Sequence, residues 1–95
     1  MVSFYDTIIG AMNEKHGDTL RAIFENPVRA NIAWRDVEAM LKAAGADISE
    51  GRGSRVRVVL RGVRAVFHRP HPRKEISPAA VRSLRRFMTE AGVTP

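Results

Sequence analysis

At 95 residues with 44% apolar side chains, the chain suffices for one domain built as two packed layers around a single core. It contains no cysteine, which excludes a disulfide framework, thiolate chemistry and a cysteine-based zinc site, and suits a reducing cytoplasm. The formal net charge is +6, no apolar run is long enough for a membrane span and no basic-then-apolar leader opens the chain, so the expected partner is a polyanion, RNA or DNA ahead of a membrane.

Charge is unevenly placed. Residues 1–47 hold 5 Lys or Arg against 7 acids, whereas residues 48–95 hold 11 against 3, giving about −2 and +8. Of the 16 basic residues 13 are arginine, whose planar fork suits bidentate contacts to phosphate.

Near the N-terminus Phe4, Tyr5, Ile8, Ile9 and Met12 repeat at helical spacing, which fits either a short packing helix or an extension ahead of an alternative start at Met12. Asp18 is placed to cap a helix over Thr19 to Glu25, with Leu20, Ile23 and Phe24 on one face and Pro27 ending it. A second helix is expected from Trp34 to Ala44, striped by Trp34, Val37, Met40 and Leu41 and closed by Gly45. Ala46 to Glu50 reads as a short strand and Gly51 with Gly53 as a turn.

A β-hairpin then follows, with Val56 to Leu60 and Val63 to Phe67 joined through Arg61-Gly62. Alternation turns Val56, Val58, Leu60, Val63, Ala65 and Phe67 inward and sends Arg55, Arg57, Arg64 and His68 to the opposite face. With Arg61-Gly62 as the loop, Arg57 falls opposite Val66 and Arg55 opposite His68. After a loop over Arg69 to Ser77, Ser77 caps and Pro78 opens a last helix to Ala91, striped by Val81, Leu84, Phe87 and Met88. The order predicts an α+β domain with a three-stranded antiparallel sheet and helices covering its apolar face.

Helix Trp34–Ala44, the pair Gly53-Ser54, His71 in the loop, and the run Lys74-Glu75-Ile76-Ser77-Pro78 leading to Phe87-Met88-Thr89-Glu90-Ala91-Gly92-Val93 occur in one order. In that order they resemble the HicA family of small bacterial toxins. The resemblance implies a double-stranded-RNA-binding-like α-β-β-β-α fold over residues 32–95, with residues 1–31 as an N-terminal extension and helix. It further implies mRNA as substrate, ribosome-independent endoribonuclease activity and a HicB-like antitoxin as partner. One departure stands out: the family's catalytic histidine follows the Gly-Ser pair, and here that position is Arg55, which exchanges no proton near neutral pH.

Cleavage of RNA by acid–base catalysis without metal needs a base for the 2′-hydroxyl, an acid for the leaving oxygen and cations on the transition state. The expected catalytic pair is His68 and His71, and the expected RNA contacts are Arg52, Ser54, Arg55, Arg57, Arg64, Arg69, Arg73 and Lys74. His16 is expected at the surface beside a helix. Gly51-Arg52-Gly53-Ser54 lacks the spacing and the strand-to-helix context of a P-loop, and the helix-to-helix context of a KH loop. No metal or cofactor is expected. Two other readings of the same residues stand beside the toxin: a non-catalytic nucleic-acid-binding module in which Arg55 anchors phosphate, and a protein-docking domain.

Overall fold

The computed structural model describes residues 13–95, which open on the helix cap Asn13; the apolar repeat from Phe4 to Met12 lies outside them. Helix α1 spans Glu14–Ile23, and the Asn13 side chain accepts the His16 N–H at 2.8 Å. The helix therefore starts well before Asp18, which sits inside it and pairs with Arg21. Asn caps as well as Asp does, and starting at Asn13 adds a turn before the residues Thr19, Leu20 and Ile23 that the helix buries. His16 consequently belongs to the first turn of the helix.

Helix α2, Trp34–Ala43, buries Trp34, Val37, Met40 and Leu41, the stripe expected of a 3.6-residue repeat. Gly45, with φ of 96°, takes the left-handed position just beyond the helix. Helix α3, Pro78–Glu90, has Pro in its first turn and is capped by the Ser77 hydroxyl, which accepts the Ala80 N–H at 3.1 Å. It buries Val81, Leu84, Phe87 and Met88.

Between the last two helices lie β1 (Asp47–Glu50), β2 (Arg55–Leu60) and β3 (Val63–His68), antiparallel in the order β1-β2-β3. Arg61 and Gly62 both have positive φ, 51° and 84°, as a two-residue type I′ turn requires. That turn sets the register: Leu60 faces Val63, Arg57 faces Val66 and Arg55 faces His68. Residues 34–95 thus follow the order α-β-β-β-α.

One face of the sheet is buried. Val56, Val58, Leu60 and Phe67 share a core with Met40, Leu41, Val81, Leu84 and Met88. Phe67 lies at the junction, its ring 5.6 Å from Phe87 in an edge-to-face contact and 6.4 Å from Trp34. Leu20 and Ile23 of α1 enter the same core. Arg85 of α3 secures α1 by donating to the Ile23 carbonyl at 2.9 and 3.0 Å and to the Glu25 carbonyl at 2.8 Å, a cation placed where a helix end leaves its carbonyls unpaired.

The loop after β3 is pinned as well. Trp34 N–H donates to the Lys74 carbonyl and Ile76 N–H to the Ile32 carbonyl, each at 2.9 Å, and Ala33 bridges Glu75. These bonds hold residues 74–76 against the start of α2.

Candidate nucleic-acid interface

The outer face of the sheet is built by the hairpin register. Arg55, Arg57, Arg64 and His68 are all exposed there, and Val66 between them is 55% exposed. Arg55 and His68 are paired across the strands, and Arg64 pairs with Val59 nearer the turn. Gly51, Arg52, Arg55, Arg57, Val66 and His68 together line a depression of about 420 Å³.

Among the described residues, no carboxylate pairs with Arg52, Arg55, Arg57 or Arg64. Arg57 makes one long contact, to the Glu50 backbone carbonyl at 3.4 Å. The face therefore presents several guanidinium groups that no described carboxylate neutralises, and their planar forks suit oxyanions.

His68 borders a second concavity too. A groove of about 670 Å³ runs past His68, Pro70, His71, Arg73 and Ser77, so both histidines face the same space while only His68 also reaches the cationic depression. His71 is exposed, and with Arg73 and Lys74 it lies beside Trp34 and Arg35 at the start of α2. No sequence pattern points to Arg35. Only the loop's attachment to α2 brings it near His71.

Arg69 stands apart from the other expected contacts. The alternation that sends His68 outward turns Arg69 to the helix side, where its guanidinium holds both Glu50 carboxylate oxygens at 2.6 Å and reaches Glu38 of α2 at 3.6 Å. Hydrogen bonds from Arg69 hold the Glu50 carboxyl below its ordinary range, and Glu50 raises the Arg69 guanidinium in return. Its backbone N–H donates to the Ser54 carbonyl at 2.8 Å, extending the β2–β3 ladder by one pair. Ser54 is exposed at the turn and does not line the depression. The structure thus gathers Arg52, Arg55, Arg57 and His68, sets Arg64 further along the same face, places Arg73 and Lys74 with His71 in the loop, and commits Arg69 to an internal clamp.

Trp34 is buried in the aromatic cluster rather than presented as a stacking platform, and among the described residues its buried indole Nε1 has no hydrogen-bond partner. Among the described residues no helix is long and apolar enough to cross a membrane, and no three metal-ligating side chains gather.

Fold and face together define a small α+β protein with one strongly cationic sheet surface edged by imidazoles. A family model, HicA toxin of bacterial toxin-antitoxin, matches residues 34–93, which span α2 through the end of α3. The chain belongs to that family and is a toxin of a toxin–antitoxin system. No curated protein and no solved structure gives a significant match.

Proposed function

We propose that this toxin binds RNA on the outer sheet face and cleaves it with His68 and His71. The observation that carries the reading is the depression where Arg52, Arg55, Arg57 and His68 meet, free of carboxylate partners among the described residues. A phosphate held by these arginines at the His68 edge of the depression also borders the groove that His71 lines. One histidine takes the 2′-hydroxyl proton, the 2′ oxygen bonds to phosphorus, and the other histidine protonates the 5′ oxygen as its bond to phosphorus breaks. The products carry a 2′,3′-cyclic phosphate and a 5′-hydroxyl. Arginines stabilise the extra negative charge of the phosphorane-like transition state. The HicB-like antitoxin and the cytoplasmic location belong to the same proposal.

A second reading rests on one feature: Arg55 follows Gly53-Ser54, the position at which the resemblance implies a catalytic histidine. On that reading Arg55 anchors phosphate and the chain binds RNA without cutting it. Incubation of the purified chain with a mixed RNA pool, beside His68→Ala and His71→Ala, separates the two. Each histidine loss is expected to slow cleavage by about 10² to 10⁴. Cleavage that survives both losses removes this mechanism.

A further inference from the structure

The hydrogen-bond phase of the hairpin shows which backbone groups of β3 face away from the sheet. Arg69 N–H donates to Ser54 and the register pairs Val63 with Leu60, so residues 63, 65, 67 and 69 direct their backbone groups at β2. Arg64, Val66 and His68 therefore direct theirs outward. Strand β3 is an edge of the sheet, and no described residue hydrogen-bonds to those three backbones.

Beside this edge runs a groove of about 650 Å³ between β3 and α3, lined by Arg64, Ala65, Arg82, Ser83, Arg86 and Glu90 among others. It continues at Ser83 into the groove that passes Val66 and Phe67. Among the described residues Arg64, Arg82 and Arg86 have no carboxylate partner. Val66 is the large apolar side chain left exposed at the middle of the edge.

We propose that the free edge of β3 docks an extended acidic segment of a partner protein, which joins the sheet as a fourth strand. Main-chain hydrogen bonds to Arg64, Val66 and His68 supply the attachment. On the outer side the segment places acidic residues across from Arg64 and His68 and an apolar one across from Val66. On the helix side its acidic residues meet Arg82 and Arg86. Both faces of the added strand therefore select negative charge, which is why an acidic segment is the occupant.

Two other occupants fit less well. A nucleic-acid backbone offers phosphate acceptors and so leaves the three outward carbonyls unpaired, whereas a peptide strand pairs N–H and carbonyl alike. A second copy of this chain carries the same Arg64, Arg82 and Arg86 and a net charge of +6, so its approach is opposed by like charges. The inference does not depend on RNA binding by the outer face.

The test is amide hydrogen exchange, followed by NMR on the full chain at low salt, with a short synthetic peptide centred on Glu-Glu-Val-Glu-Glu, which puts Glu, Val and Glu on one face and Glu on the other. Exchange at Arg64, Val66 and His68 is expected to slow by about tenfold or more with this peptide and to stay unchanged with the version carrying Lys for Glu. The double variant Arg82→Glu/Arg86→Glu, at exposed helix positions, is expected to weaken peptide binding by about tenfold. Val66→Pro removes an outward N–H and is expected to abolish binding; if that variant fails to fold, the charge-reversed helix decides. Equal protection by the Lys peptide overturns the proposal, as does protection of the three amides in the chain alone. Shifts confined to Arg55 and Arg57, with unchanged exchange at the edge, overturn it too. RNA retention, measured separately on the same sample, reports on the outer face and not on this edge.

Discussion

Arg55 and His68 stand directly opposite each other across β2 and β3, at a pair that exchanges no hydrogen bonds between the strands. Such pairs bring side chains closest, with Cβ atoms separated by roughly 4.5 to 5.5 Å. A phosphate bound by the guanidinium is thereby placed beside the imidazole.

Arg55→His is the most informative single change at this pair. If Arg55 anchors phosphate for a reaction run by His68 and His71, the variant is expected to bind RNA more weakly and to cleave no faster. A gain in cleavage of about 10² or more, appearing only in the variant, instead assigns the native chain to the non-catalytic reading. Single-turnover cleavage of a labelled RNA, with retention measured in parallel, gives both quantities.

Salt dependence tests the cationic face as a whole. Replacing Arg52, Arg55, Arg57 or Arg64 by Gln is expected to reduce the slope of log K against log salt by roughly 0.7 to 0.9 for each phosphate that the variant no longer neutralises. Arg69→Gln is expected to leave the slope unchanged, because that guanidinium is already held by Glu50. Filter binding across a salt series is sufficient, and a reduced slope in Arg69→Gln alone would contradict the assignment.

The Glu50–Arg69 clamp has a pH signature. Hydrogen bonding from Arg69 lowers the folded-state pKa of Glu50, so folded protein releases that proton more readily than unfolded protein does. The clamp's contribution to stability is therefore present above the ordinary carboxylate pKa and is lost as pH falls through the lowered folded value. Denaturation midpoints followed from neutral to acidic pH are expected to show a smaller acid loss in Glu50→Gln than in the native chain. The difference between the two proteins should shrink as Glu50 becomes protonated.

The turn carries a stability prediction free of packing effects. A Cβ at Gly62 meets nothing within 4 Å, yet its φ of 84° lies in the left-handed region. Gly62→Ala is expected to destabilise the chain by about 1 to 2 kcal/mol through backbone strain alone. Urea unfolding at neutral pH measures this as a lower midpoint with an unchanged slope.

Much of the fold was legible in local patterns. Alternation along Arg55 to His68 and the two-residue loop predicted a register that the sheet adopts pair by pair, because a type I′ turn leaves the strands no freedom to slip. Ser77-Pro78 located the start of α3, since capping and fixed φ act within one turn. Helix α1 was less legible, because Asn13 and Asp18 are both competent caps and the choice between them follows from which residues the core buries.

The sequence alone determined the division of charge, the hairpin register and the elements other than the start of α1, the last two through interactions among near neighbours in the chain. Tertiary structure decided which arginines are available. Glu50 and Glu38 are far from Arg69 in sequence and reach it only because β1, α2 and the end of β3 converge, so one guanidinium is spent on the fold while Arg52, Arg55 and Arg57 remain unpaired by any described carboxylate. The meeting of His71 with Arg35, and of Arg64 with Arg82 and Arg86, was settled in the same way. Charge pairing depends on distance in space, and for residues on different elements packing alone sets that distance.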